Sequence, residues 1–522
     1  MHMKKMLVIV SGLLWWAMAT VAQQTTPNII VIMSDDHDAN AISAYNRSLI
    51  QTPQIDRIAK EGIRFTRAMV GNSLCGPSRA TFLTGLHSNK NGFTDNNSVF
   101  NGAQRTLPKL LQERGYQTAL VGKWHLVSKP TGFDYWQVLP GQGIYYEPRM
   151  INQNGDTVTQ HGYATNLISE DAIRWMRQDR NPNKPFFLML NHKAPHRNFL
   201  PTLANIQRFH TQQFPEPPTL YADTSNRGSA WRLQTMRILE HLELASDLKV
   251  DPAYLQDIPE LKPSAAEEKY YYNIMKTIPA NEREQIKKIY AERGAIIRKE
   301  RPTGNALLKL KYQWYMQDYL ACVASIDENV GKVLNYLDSS GLAANTLVMY
   351  TSDQGFYLGQ NGWFDKRWMY DVSMKTPLLI RWPGKIAPGT ICDQLTQNID
   401  HAPTLLEVAG IPAPKDMHGI SLLPLLTNPQ YQLPRKSIYY HFYEFNGAHT
   451  VLQHIGVRTA QYKLIHFYTV NEWQLYDLLN DPEEQKNLYN IPAFDSIQKS
   501  LEKELVALQK QYDDTNPAAP VK

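Results

Sequence analysis

Two oxygen-rich pairs stand far apart in this chain and carry the same kind of donor. Asp35-Asp36 follow an apolar run near the start, and Asp353-Gln354 follow another near residue 350. All four side chains offer hard oxygen, which suits Ca²⁺ or Mg²⁺ and not zinc or copper. An Asp-Asp step on its own is a common turn or helix cap. The matching pair after a second run favours a metal. Two further tracts place cations and imidazoles after apolar runs: Gly122-Lys123-Trp124-His125 and Asn191-His192-Lys193-Ala194-Pro195-His196.

The runs that must position these residues span 28–33, 117–121, 185–190 and 346–350, with a fifth at 377–380. They are short and apolar throughout, as strands covered on both faces are. Helical patterns lie between them at 54–60, 107–113, 164–177, 312–337 and 402–408. The alternation predicts an α/β fold, a large mostly parallel sheet flanked by helices. Ligands in such sheets gather at the carboxyl ends of strands, so the four tracts are expected at one rim. Residues from about 219 to 310 are charged and helical in pattern, and read as an insertion, either a substrate-binding wall or a surface excursion. After Pro434 come short strand patterns and a helix at 497–508, a smaller C-terminal α+β subdomain over 435–522 beside a main domain over 23–434.

Residues 1–22 read as a signal peptide. Lys4 and Lys5 precede a short apolar core, with cleavage expected near Ala22–Gln23 and an uncleaved anchor as the alternative. Export to a periplasm, secretion, or a lysosomal-type destination in a eukaryote follows, with no membrane span after cleavage. Three cysteines make no disulfide framework, and Cys322 and Cys392 read as small core residues. The net charge of +5, two of it in the leader, includes no basic block and argues against nucleic acid.

The tract Leu74-Cys75-Gly76-Pro77-Ser78-Arg79, with Leu83-Thr84-Gly85 after it, resembles the signature of the sulfatases. So does Gly115-Tyr116-Gln117-Thr118-Ala119-Leu120-Val121-Gly122-Lys123-Trp124-His125, in the family's order. The resemblance implies an alkaline-phosphatase-like sheet and a sulfuric ester hydrolase. It implies that a maturation enzyme oxidises Cys75 to formylglycine, an aldehyde whose hydrate is the nucleophile. It implies one divalent cation, usually Ca²⁺, with Mg²⁺ as the alternative, on Asp35, Asp36, Asp353, Gln354 and the formylglycine at 75. A thiolate is a soft ligand and a poor partner for Ca²⁺, whereas an aldehyde hydrate offers hard oxygen. Arg79 and Lys123 would hold the hydrate and His125 would act as base. His196 and Lys366 would contact the sulfate and the leaving oxygen, one of them protonating the departing alcohol. His37 and His192 read as structural.

The tracts 362–377 and 439–459 look like those of N-acetylglucosamine-6-sulfatases. The expected substrate is therefore a sulfated saccharide losing a 6-O-sulfate from a terminal N-acetylglucosamine or glucosamine. Asp365, Arg367, His454 and Arg458 are candidate sugar contacts. The alternatives are a sulfatase for uronate 2-O-, galactose or aryl sulfate, a phosphatase, and a non-catalytic glycan binder. A phosphatase of this superfamily would typically use two metals, and the sequence offers ligands for one.

Overall fold

A computed structural model describes residues 26–222, 227–445 and 447–514. The signal-peptide expectation and the Pro/Ala-rich end lie outside the described residues.

Ten strands form the main sheet. They are β1 (Asn28–Asp35), β2 (Ile63–Phe65), β3 (Gln117–Lys123), β4 (Tyr135–Leu139), β5 (Arg149–Asn152), β6 (Thr157–Thr159), β7 (Phe186–Pro195), β8 (Thr346–Ser352), β9 (Leu378–Arg381) and β10 (Thr390–Cys392). The order across the sheet is β10-β2-β9-β8-β1-β7-β3-β4-β5-β6. The five apolar runs of the sequence are the five adjacent central strands. β1 pairs in parallel with β7 and β8, and β3 with β7. β9 runs antiparallel to β8, so only four of the five end at the shared rim. Every residue of β1, β7 and β8 is buried.

Period-two alternation divides β1 between two cores. Ile30 and Ile32 pack with the helices α1 (Pro53–Lys60), α4 (Ala164–Arg174) and α7 (Gly304–Ser339). Ile29, Val31 and Met33 pack with α2 (Cys75–Thr84), α3 (Leu107–Glu113) and α8 (His401–Val408). The insertion carries α5 (Ala265–Thr277) and α6 (Ala280–Glu300), and Tyr271, Ile286, Tyr290 and Ile297 join the same core as Ile30. α6 stops at Arg301, in a left-handed conformation (φ 46°) just before Pro302, and α7 begins at Gly304. Helix α7 thus starts earlier than its apolar pattern, its largely exposed first turns burying only Leu307 and Leu308 before Lys311.

The C-terminal part is a four-stranded antiparallel meander, β11 (Ser437–Phe442), β12 (His454–Thr459), β13 (Tyr462–Phe467) and β14 (Glu472–Asp477). Helix α9 (Asp495–Gln511) covers one face through Leu501, Leu505 and Leu508. The other face, with Ile438, Tyr440 and Phe442, packs on Trp363, Trp368, Met369 and Tyr370 of the main domain. No helix among the described residues is long and apolar enough to cross a membrane.

Candidate active site

Strand ends and one helix start converge at a single rim. Cys75 is the first residue of α2, after Leu74 in extended conformation. Pro77 lies in the first turn, where backbone N–H groups have no helical acceptor to lose. All ten residues of α2 are buried, and Gly85 ends it with φ 67°. Ser78 Oγ accepts from Asn398 Nδ2 at 3.0 Å, and the Gly76 N–H donates to Asn96 Oδ1 at 3.1 Å. These bonds fix the start of the helix from both sides.

The acidic residues close around Cys75. One carboxylate oxygen each from Asp35, Asp36 and Asp353 lie within 4.8 Å of one another, and so do Asp35, Cys75 Sγ and a His196 ring nitrogen. Gln354 Nε2 donates to Asp36 Oδ1 and lies 3.5 Å from Cys75 Sγ. Two buried oxygens of this group, Asp35 Oδ1 and Gln354 Oε1, have no hydrogen-bond partner among the described residues. Buried acceptors are rarely left so. Burial, with the charges of Asp35 and Asp353 added, pushes Asp36 up to about 7 against the pull of Lys366. Crowded carboxylates with two idle hard oxygens fit a divalent cation.

Cations complete the cluster. Lys123 Nζ bonds Asp35 Oδ2 and Gln142 Oε1. Arg79 donates from Nε and Nη2 to Asp353 Oδ2 at 3.0 and 2.8 Å, and from Nη1 to the Lys123 carbonyl at 3.1 Å. Lys366 Nζ donates to Asp36 Oδ2 at 2.7 Å, and His196 Nε2 lies 3.7 Å from the same oxygen. Burial opposes the charge on Lys366, yet Asp36 holds its pKa well above the usual lysine range. Burial pushes His196 well below the imidazole range. His125 falls to about 2 through burial and the neighbouring Lys123, and its Nδ1 has no partner. Burial pushes the Cys75 thiol up despite Lys123 and Lys366, so as a cysteine it is a neutral, inert thiol.

Backbone conformation helps aim these groups. Asp36, His125, Asp365 and Arg367 all have left-handed φ, at 66°, 54°, 74° and 91°. Such residues carry a local cost that surrounding structure must hold, and they concentrate at functional sites. Just before Lys123, Gly122 has φ 103°, and a Cβ there would sit 2.0 Å from the Asn191 carbonyl oxygen. Only glycine lets β3 and β7 end this close together.

A second layer of ion pairs borders the cluster. Arg367 bonds Asp365 at 3.2 Å and Glu444 at 2.7 Å, and His449 Nε2 lies 3.2 Å from Asp365 Oδ2. Sequence reasoning missed Gln142, Glu444 and His449. Glu444 and His449 sat in a tract singled out for other reasons, and nothing local marks Gln142. His454 and Arg458 correct an expectation, because both turn inward. His454 is fully buried, with Nε2 accepting the Met369 N–H and Nδ1 on the Leu452 carbonyl. Arg458 pairs with Asp371 at 2.9 Å. Both lie on the β12 face that packs under residues 368–371, so they support the wall and touch no open space. His37 bonds Tyr350 and the Ala41 carbonyl within the core.

A sulfatase profile matches residues 27–411. The chain belongs to the sulfatase family. A second profile, N-sulphoglucosamine sulphohydrolase, C-terminal, matches residues 359–511 of this sulfatase. An N-acetylglucosamine-6-O-sulfatase of Bacteroides thetaiotaomicron is 46% identical over 498 residues, covering 94% of this chain and 88% of that one. An ulvan-active sulfatase of Formosa agariphila is 26% identical, over 93% of this chain and 82% of its own length. A protein solved in complex with its substrate D-glucosamine-2-N,6-O-disulfate superposes with a TM-score of 0.90 at 45% identity, covering 94% of this chain and 99% of that one. The phosphonate monoester hydrolase of Agrobacterium radiobacter, at 20% identity and TM-score 0.64, shares the fold. The protein is a sulfuric ester hydrolase, of a family that typically uses formylglycine and a metal.

Proposed function

We propose that this sulfatase removes the 6-O-sulfate from a terminal N-acetylglucosamine or glucosamine residue of a sulfated glycan. The observation that carries the choice of ester is the 46% identity to an N-acetylglucosamine-6-O-sulfatase, which runs through the C-terminal subdomain as well as the sheet. The likeness to a protein holding a 6-O-sulfated glucosamine supports it. Asp365 and Arg367, next to Lys366 and buried in the second layer of ion pairs, are the residues we assign to sugar hydroxyls.

Residue 75, once oxidised by a maturation enzyme, supplies a hydrated aldehyde oxygen as nucleophile. A divalent cation, Ca²⁺ by ligand type, would be held by Asp35, Asp36, Asp353, Gln354 and residue 75, and would polarise the sulfate oxygens. The chain's own groups do the rest. Arg79 braces Asp353 and the Lys123 carbonyl, and so keeps the ligand oxygens and the ammonium of Lys123 in register. Neutral His125 has a free Nδ1 and would act as base on the remaining hydroxyl of the sulfated residue 75 hydrate, so that sulfate leaves with the bridging oxygen and the aldehyde re-forms.

The acid can be chosen from hydrogen bonding. His196 Nδ1 faces the Arg197 carbonyl and must carry the proton there, so its Nε2 presents a lone pair toward the site. A neutral imidazole in that tautomer cannot protonate a leaving alcohol. Lys366 is the protonated member, and we assign it as donor to the departing oxygen.

Two measurements test the reading. A panel of defined sulfated sugars should give release from 6-sulfated glucosamines; release only from a uronate 2-sulfate defeats it. The mass of the peptide containing residue 75, in protein from its native host, should be lighter than the cysteine form.

A further inference from the structure

Six lysines are buried among the described residues: Lys123, Lys193, Lys249, Lys311, Lys366 and Lys463. Five have oxygen partners. Lys123 bonds Asp35, Lys366 bonds Asp36, and Lys463 bonds Asp371 and Glu484. Lys249 reaches the Phe199 carbonyl and Lys311 the carbonyls of Leu239 and Leu242. Lys193 is 4% exposed, and its ammonium has no hydrogen bond or ion pair among the described residues. Its ammonium sits 4.8 Å from the centre of the Tyr145 ring. An ammonium at the end of an otherwise buried side chain, with only a ring face beside it, is unusual, since buried charges are normally paired.

Lys193 opens into a cavity of about 160 Å³, between residues 143–145, the segment after β7, and helix α5 of the insertion. Tyr270, Asn273 and Ile144 line it as well. The local backbone was bent to aim it. Met33 pairs with Asn191 and Asp35 with Pro195, so two residues of β1 face four of β7. Such a bulge re-aims side chains, here those of residues 192–194. The cavity lining includes none of the catalytic cluster but is bonded to it. Tyr145 OH donates to the His196 carbonyl at 2.6 Å, and Gln142, beside Gly143, bonds Lys123.

We propose that this cavity is a subsite for a second anionic group, a sulfate or a carboxylate, on the saccharide whose 6-sulfate lies in the catalytic cluster. This rests on the function proposed above. The cation answers the anion. The Tyr145 ring and Ile144 offer apolar surface to a sugar face, and Asn273 at the rim offers an amide to hydroxyls. The insertion then has a role, as the outer wall of this subsite.

The test compares three substrates: N-acetylglucosamine 6-sulfate, its N-sulfated counterpart, and an N-acetylated 6-sulfate linked to a uronate. The native enzyme should favour one of the two substrates with a second anion by about tenfold in kcat/KM, the worth of one charged hydrogen bond. Lys193→Met should erase that ratio, and Lys193→Arg should keep most of it. The arm that loses its advantage names the anion as sulfate or carboxylate. Melting temperature separates this from a structural role: K193M should melt close to the native temperature, since the ammonium makes no hydrogen bond or ion pair that the fold would lose. An equal loss on all three substrates, or a fall in melting temperature of several degrees, overturns the subsite. A native enzyme that cleaves all three equally overturns the subsite alone. A native enzyme that cleaves none defeats the 6-sulfatase reading and the subsite with it.

Discussion

Tyr440 ties both catalytic loops to the C-terminal sheet, and its hydroxyl can be removed without touching the site. The group donates to the Arg367 carbonyl at 2.6 Å and accepts the Ser73 N–H at 3.3 Å. Arg367 adjoins Lys366, and Ser73 lies two residues before Cys75. In Tyr440→Phe both backbone groups stay buried without that partner, at ~1–3 kcal/mol for each such loss, with the longer bond at the low end. About 2–3 kcal/mol of stability should go. Unfolding entropy of ~2.1 cal/mol/K per residue makes ~1 kcal/mol correspond to about one degree in a chain of 522 residues. Melting should therefore fall by about 2–3 °C. A loop drift of ~1 Å costs on the order of 100-fold in rate, so kcat on N-acetylglucosamine 6-sulfate should fall about 10- to 100-fold, with KM moving less. Tyr439→Phe is the comparison, since its hydroxyl bonds Asp514 on the far face of the same strand at 2.7 Å. It should cost similar stability and leave kcat near native. If Tyr440→Phe melts lower while kcat stays within about twofold of native, the loops are not held through this hydroxyl and the reasoning fails.

Other outcomes follow from the same geometry. Lys366→Ala should lower kcat by about 10²- to 10⁴-fold, the usual worth of a general acid, measured on a substrate with a poor leaving alcohol. Chelation of divalent cations should abolish turnover and lower the melting temperature by about 2–3 °C, reversed by Ca²⁺, if the site is filled to ~100 times its Kd. Burial pushes Asp514 up, but bonds from His441, Tyr443 and Tyr439 outweigh it and bring it down to about 2 from 3.8. His441 is itself pushed down by burial, against the pull of Asp514. A depressed carboxylate stabilises the fold above its unfolded pKa, so about 2 kcal/mol should be present above pH 4 and lost between about pH 4 and 2. Acid unfolding of Asp514→Asn should lack that step.

Much of the architecture could be read from local composition. The five apolar runs became the five central strands, because a strand covered on both faces has to be apolar at every position. The C-terminal part also holds the short strands and the helix expected after Pro434, the helix extended by two or three residues at its ends. The direction of β9 was not legible, since an apolar run of four reads the same both ways. Nor was the start of α7, whose first turns are largely exposed and bury only Leu307 and Leu308 before Lys311.

The site divides along the same line. Ligand chemistry is a property of residue type: Asp35, Asp36, Asp353 and Gln354 are hard donors wherever they fall, and the Cys75 and Lys123 tracts are continuous in sequence. Aim is a property of non-local packing. Left-handed backbones at Asp36, His125, Asp365 and Arg367 exist because neighbouring strands hold them. Glu444 and His449 reach Arg367 and Asp365 across more than seventy residues of chain. His454 and Arg458 belong to the right sheet but point inward, because strand register decides which face meets the main domain. The unpaired ammonium of Lys193 was invisible in the sequence for the same reason: a lysine's partner, or the lack of one, exists only once the chain has folded around it.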